Sequence, residues 1–168
     1  MAQNKLCWGI VGAANIARKN WKAIHNTGNS TVVAVASRDL KRCRAFIAEC
    51  QAEASMEAVP NALGSYEELV AAKDVDGVYI PLPTGFRKEW VMRFAEAGKH
   101  IVCEKPCALS VADLWEMIVA CRKHKVQFMD GVMFMHSRRL ERLRSVLDDQ
   151  KSIGQIKRIT SAFSFLAE

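Results

Sequence analysis

Three short groups of residues in this chain could do chemistry, and each stands where an apolar run ends. Gly12-Ala13-Ala14-Asn15-Ile16-Ala17 follows the run Leu6–Val11, Ser37-Arg38 follows residues 31–36, and Glu104-Lys105-Pro106 follows His100–Cys103. The first group is a variant of G-x-G-x-x-G/A. In that pattern a strand turns sharply into a helix whose N-terminal N–H groups and dipole attract the pyrophosphate of a dinucleotide. Gly12 suits the turn, and Ala17 suits the close packing of helix on strand. Ala14 departs from the pattern, because a glycine there normally lets backbone approach the phosphates. Ser37 and Arg38 occupy the place, about twenty residues further on, where an NAD site carries Asp or Glu for the ribose 2′-OH. A hydroxyl and a guanidinium instead suit a 2′-phosphate, which they bind by charge-assisted hydrogen bonds and which a carboxylate would repel. The cofactor implied is NADP, held by Gly12, Ala13, Ala14, Asn15, Ile16, Ser37 and Arg38. The plain structural alternative is a tight strand-to-helix connection, with Arg38 a solvated cation beside Asp39, Lys41 and Arg42.

The elements that must position these groups alternate strand and helix. Leu6–Val11 has no polar alternation and suits a strand buried on both faces. Residues 15–25 show helical spacing, with Ile16, Ala17, Trp21 and Ile24 on one side, and Gly28 ends that helix. Residues 31–36 form the second strand, and 40–51 the second helix, facing inward through Phe46, Ile47 and Cys50. The stretch 52–64 carries no clear pattern. Ser65-Tyr66-Glu67-Glu68 is a capping box that starts a short helix. A strand at 78–80 runs into Pro81-Leu82-Pro83-Thr84-Gly85, at a strand C-terminus where open α/β sheets place their ligands, which adds Leu82, Pro83 and Thr84 to the cofactor residues. A helix over 87–97 ends at Gly98, a strand covers His100–Cys103, Ser110 and Asp113 cap a helix running to Lys123, and 126–130 is a further strand. The fold class is α/β, a doubly wound parallel sheet.

Half of the 168 residues are hydrophobic and a quarter are charged, which fits one domain, or one domain and part of another. The formal charge of +6 is spread along the chain. Its densest patch, Arg138, Arg139, Arg142 and Arg144, shares helical spacing with Leu140, Leu143 and Leu147, the pattern of a solvated helix face and not of a nucleic-acid site. The six cysteines show neither C-x-x-C nor paired histidine spacing, so no metal is expected and the thiols read as reduced core residues of a cytoplasmic protein. No apolar run reaches membrane-spanning length.

The motifs resemble those of the oxidoreductases grouped with glucose-fructose oxidoreductase and inositol dehydrogenase (Gfo/Idh/MocA), closest to the dihydrodiol dehydrogenase-like branch. The resemblance rests on Gly9-Ile10-Val11-Gly12 with Ala17, Ala36-Ser37-Arg38, residues 76–84, and above all Ala97-Gly98-Lys99-His100-Ile101-Val102-Cys103-Glu104-Lys105-Pro106. It implies hydride transfer between the nicotinamide of NADP and a CH–OH group of a sugar or cyclic diol. It also implies that Glu104 and Lys105 lie beside the nicotinamide ribose and that Lys105 is the catalytic residue, pointing to the substrate hydroxyl. Departures are Arg87 where many members carry histidine, Phe134 where tryptophan is frequent and Arg138 where proline is expected. His136 reads equally as a substrate contact and as a structural residue of the domain junction.

By the same resemblance, residues 1–131 are the NADP-binding domain and 132–168 begin a substrate and dimerisation domain. Residues 156–166 are its first strand, and the catalytic Tyr or His would lie beyond residue 168. The sequence is therefore expected to be a truncated copy, whether a partial gene model, a splice form, a fragment or a short protein in its own right. A homodimer is expected where the second domain is complete. The alternative function is an NADP-binding module without catalysis of its own, a sensor or a subunit.

Overall fold

The computed structural model describes residues 5–149, 151–162 and 164. Its first unit, Met1–Gly131, is built on six strands. They are β1 (Leu6–Val11), β2 (Ser30–Ala36), β3 (Asn61–Leu63), β4 (Gly77–Ile80), β5 (His100–Cys103) and β6 (Phe128–Asp130). All pairs are parallel, in the order β3-β2-β1-β4-β5-β6. The order reverses between β1 and β4, where the chain leaves one half of the sheet for the other, and the doubly wound expectation is met. β3 comes out of the stretch that showed no pattern. At three residues, none of them fully buried, it is too short to carry a hydrophobic run.

Five helices cover the sheet: α1 (Asn15–Asn26), α2 (Leu40–Glu53), α3 (Tyr66–Ala71), α4 (Thr84–Glu96) and α5 (Val111–Lys123). Successive strand residues point to opposite faces, so Ile10 and Val11 enter different cores. On one face Ile10, Val32, Val35 and Tyr79 pack with Ala17 and Trp21 of α1 and Cys43, Phe46, Ile47 and Cys50 of α2. On the other, Val11, Val78, Ile80 and Ile101 pack with Leu69, Trp90, Val91, Phe94 and Met117 of α3, α4 and α5. All six cysteines are free thiols, and all but Cys7 are buried.

Two element starts differ from the sequence reading by two residues or more. α4 begins at Thr84 and not at residue 87, because Pro83 holds φ at −55° as N-cap and its carbonyl accepts from Phe86 N at 3.0 Å. Proline fixes φ near a helical value, so it starts this helix where the sequence alone reads as loop. β6 starts at Phe128 and not at residue 126, because Lys125 turns left-handed at φ 57° and Val126 N closes α5 by donating to Cys121 O at 2.9 Å.

The second unit, Val132–Glu168, holds a 3₁₀ turn (Met133–His136) and α6 (Arg139–Asp148). α6 buries none of its residues, and Arg139, Arg142 and Arg144 are solvated. The strand expected over 156–166 is absent from its described residues, 156–162 and 164, and its other positions lie outside the described residues. A strand is stabilised by ladder bonds to a neighbour, and no described segment pairs with this one. Among the described residues no helix is long and apolar enough to cross a membrane.

Candidate functional site

The reversal in strand order brings two helix N-termini to one edge of the sheet. β1 and β4 are paired through Trp8–Gly77, Gly9–Val78 and Ile10–Tyr79, and their C-terminal ends lead into α1 and α4. At the end of β1, Gly12 takes φ +101° and donates its N–H to Ala36 O at 2.8 Å, tying the turn to the end of β2. The positive φ requires glycine, and a Cβ on Gly12 would also press on Leu82 Cδ2 at 3.3 Å. Ala14, the departure from the fingerprint, has φ −95° and ψ 146°, which any residue adopts, so its methyl group costs no backbone strain. Asn15 and Ile16 are exposed at the start of α1, Ala13 is half-buried, and Thr84 is half-buried at the start of α4.

Side chains of Asp39, Ser65 and Ser110 cap α2, α3 and α5. α1 and α4 have neither a side-chain cap nor an acidic residue in the first turn. The two helices that leave the reversal point thus present uncapped N–H groups and the positive ends of their dipoles, an arrangement suited to an anion.

Next to this edge lies a cavity of about 280 Å³ lined by Arg38, Ser65, Tyr66, Glu67, Leu82, Pro83, Phe86, Glu89 and Trp90. Of the residues expected to hold a cofactor, Arg38, Leu82 and Pro83 line it, and Gly12 sits against Leu82. Tyr66 and Trp90 meet edge to face with centroids 4.9 Å apart. Arg93 stacks on Trp90 at 4.6 Å and pairs with Glu67 at 3.0 Å and Glu89 at 3.6 Å. Both carboxylates of the lining are therefore engaged by Arg93, while Arg38 makes no ion pair among the described residues. Ser37 is buried, and its Oγ accepts from Asp39 N at 3.3 Å, which leaves the hydroxyl proton to be donated. The Asp39 carboxylate is turned onto α2, accepting from Arg42 N at 3.0 Å, and the Arg42 guanidinium donates to Ala13 O at 3.1 Å.

Glu104 and Lys105 follow β5. Glu104 N donates to Ile80 O at 3.1 Å, Glu104 Oε1 accepts from the Tyr79 hydroxyl at 2.7 Å, and Oε2 accepts from Lys105 N at 3.1 Å. A Cβ on Gly131 would lie 3.2 Å from Glu104 Cα, Cδ and Oε1, so Gly131 leaves the room in which this carboxylate rests. The Lys105 side chain is exposed and forms no ion pair among the described residues. Arg87, buried in the first turn of α4, donates from Nε to Leu82 O at 2.6 Å and from Nη1 to Glu104 O at 2.6 Å and to Pro106 O. The Lys105–Pro106 peptide is cis. His136 belongs to the second unit, where it is exposed in a cavity with Arg138, Glu141 and Arg144.

Burial first, and then the Glu104 carboxylate, hold the Tyr79 phenol well above its ordinary pKa of 10.0. The folded state keeps this proton while the unfolded chain releases it above pH 10. The resulting stability is thus full below pH 10 and falls as pH rises, by up to about 1.4 kcal/mol per pH unit. Urea unfolding of Tyr79→Phe and the unchanged protein at pH 9 and pH 11 should show the smaller decline in the variant. Parallel declines would exclude the phenol as the source.

Tyr66, Trp90, Tyr79, Gly131 and Arg42 were not singled out as site residues from the sequence. The signals were present but local: an aromatic at the first position of a capped helix, a tryptophan one turn past Phe86, a phenol in an apolar strand, a glycine just past a strand, and an arginine one turn past Arg38.

Residues 6–132 match the model of the oxidoreductase family with an NAD-binding Rossmann fold. The chain belongs to this family. Among relatives of this oxidoreductase family is a dTDP-3,4-didehydro-2,6-dideoxy-alpha-D-glucose 3-reductase from Saccharopolyspora spinosa, 31% identical over 92% of this chain and 44% of its own length. A trans-1,2-dihydrobenzene-1,2-diol dehydrogenase from Mus musculus is 35% identical over 95% of this chain and 46% of its own. A crystal structure of a 3-ketoreductase from Actinomadura kijaniata in complex with NADP superimposes with a TM-score of 0.81 at 28% identity, over 92% of this chain and 47% of that one. The chain thus spans about half the length of the relatives it matches.

Proposed function

We propose that this chain is the NADP-binding part of an oxidoreductase that moves hydride between the nicotinamide and a CH–OH carbon of a sugar or cyclic diol. The observation that carries the reading is the edge at the strand reversal, where two helix N-termini without side-chain caps stand beside a cavity holding an arginine that makes no ion pair among the described residues. Gly12, Ala13, Ala14, Asn15 and Ile16 would take the pyrophosphate on backbone N–H groups, with the Ala14 methyl accommodated at no backbone cost. Arg38 and the Ser37 hydroxyl would take the 2′-phosphate, and Arg42, one helical turn on, adds a second cation. Leu82, Pro83, Tyr66 and Trp90 offer apolar surface for the adenosine end, and Thr84 opens the second helix. When bound, the cofactor supplies the redox chemistry.

Glu104, held by Tyr79 and by the Lys105 N–H, would orient the nicotinamide ribose. Lys105 would hydrogen-bond the reacting oxygen and handle its proton. The sugar reductase and diol dehydrogenase among the relatives support a CH–OH substrate, and the NADP-bound ketoreductase supports the choice of cofactor. Residues 132–168 would begin the substrate and dimerisation domain, with His136 as a substrate contact, and a cytoplasmic location fits the free thiols.

Calorimetric titration of the chain with NADP and, separately, with NAD tests the cofactor assignment. One well-placed phosphate contact with an arginine is worth at least about 1.5 kcal/mol, so NADP should bind roughly tenfold more tightly or better. Equal affinities would remove the 2′-phosphate assignment, and binding of neither would remove the cofactor reading. Tight NADP binding without turnover on any sugar or diol would favour the binding module over the enzyme.

A further inference from the structure

We propose that Arg87 is a positioning residue for the proposed catalytic Lys105, an inference that rests on the NADP reading above. Arginine is almost never fully buried unless it is paired, yet Arg87 is only 6% exposed and no described carboxylate forms an ion pair with it. Its place in the first turn of α4 is also unfavourable, since a cation there opposes the positive end of the helix dipole. Both costs are offset by main-chain carbonyls alone: Leu82 O after β4, and Glu104 O and Pro106 O after β5.

The two carbonyls after β5 belong to the residues on either side of Lys105. A single nitrogen, Nη1, holds both, so the backbone that aims Lys105 is fixed from beneath by a group that never touches its ammonium. Nε, in the same rigid plane, holds the turn after β4. The planar fork therefore sets the Lys105 turn relative to the Leu82 turn, and a lysine, whose single ammonium nitrogen sits on a flexible stem, could not hold both turns in that geometry. The larger consequence falls on the nicotinamide end of the cofactor, because two of the three bonds hold the turn of Glu104 and Lys105, which serve that end.

The test uses the full chain and two probes, NADP and adenosine 2′,5′-bisphosphate, which lacks the nicotinamide half. Arg87→Lys keeps the cation but loses the fork. It should weaken NADP by about tenfold, the equivalent of one charge-assisted hydrogen bond, and weaken the bisphosphate by less, since that probe meets only the Leu82 turn that Nε holds. Arg87→Met should do the same or more. In a Lys105→Ala background, where an exposed side chain is removed, Arg87→Lys should cost less than it does in the unchanged chain, since residues acting as one unit are not additive.

Equal weakening of both probes would assign Arg87 to packing alone and overturn the proposal, as would full additivity with Lys105→Ala or no effect on NADP. If Arg87→Met does not fold, Arg87→Lys and the double variant decide the matter. If the unchanged chain binds the bisphosphate but not NADP, the positioning proposal fails while the 2′-phosphate site stands. If it binds neither probe, the NADP reading itself has failed.

Discussion

Arg38→Asp should lower NADP affinity by about a hundredfold or more and leave NAD affinity unchanged or improved. A charge-assisted hydrogen bond to phosphate contributes about 1.5–3 kcal/mol, roughly 10- to 150-fold in affinity, and aspartate adds repulsion of the phosphate to that loss. The structure points to Arg38 because it lines the cavity without an ion pair among the described residues, whereas the two carboxylates of the lining are engaged by Arg93. Asp39, the nearest acid in sequence, is committed to capping α2. Arg42, whose guanidinium reaches the Ala13 carbonyl, should preserve some NADP binding in Arg38→Ala. Arg38→Ala is therefore expected to fall between the unchanged chain and Arg38→Asp. Titrations of all three with NADP and NAD at two salt concentrations check this, since an exposed cation–phosphate contact weakens with ionic strength. If both cofactors lost affinity to the same extent, Arg38 would be supporting the loop and not reading the 2′-phosphate.

The fold was legible in the sequence because each long element carries its own periodicity. β1, β2, β4 and β5 are each built on a short apolar run, and α1 and α2 have inward faces with residues such as Trp21, Phe46 and Cys50 at helical spacing. The capping serines of α3 and α5 were legible for the same reason, being local chemistry between Ser65 and Glu68 and between Ser110 and Asp113. In α3 the reciprocal bond takes a different form, for Glu68 reaches the N–H of Gly64 at 3.4 Å and the hydroxyl of Ser65 at 3.1 Å. β3 was not legible, since three half-exposed residues become a strand only because β2 offers a partner. The start of α4 was obscured by Pro83 and Gly85, two residues that usually mark loops. The chemistry-bearing motifs could be placed at strand ends from sequence alone. The cavity wall could not, because Tyr66, Trp90 and Arg38 are brought together only by the sheet order. Arg87 was visible as an anomaly, an arginine where histidine is common, and its carbonyl partners explain it only once the turns after β4 and β5 are seen side by side.

Trp21→Ala should cost about 3–5 kcal/mol of stability from lost burial and the cavity left behind, with about 1 kcal/mol more from the hydrogen bond it removes. Trp21 is completely buried on α1, meets Phe46 of α2 edge to face at 6.2 Å, and donates its indole N–H to Ala54 O at 2.7 Å. One side chain thus joins α1 to the body and the C-terminal end of α2 over the β1–β2 half of the sheet. Domains of this size are stable by only about 5–15 kcal/mol, so the loss takes about a quarter or more of the total. It should appear as a lowered urea midpoint with an unchanged slope. Trp21→Phe, which keeps much of the volume but not the bond to Ala54, should lose less than half as much. A loss below about 1 kcal/mol for Trp21→Ala would mean that α1 is held elsewhere. The same residue bears on the proposed cofactor site, because the α1 N-terminus can offer N–H groups to a phosphate only while the helix behind it is fixed against the sheet. At a temperature where the alanine variant is still folded, its NADP affinity should therefore fall as well, whereas the phenylalanine variant should bind nearly as the unchanged chain does.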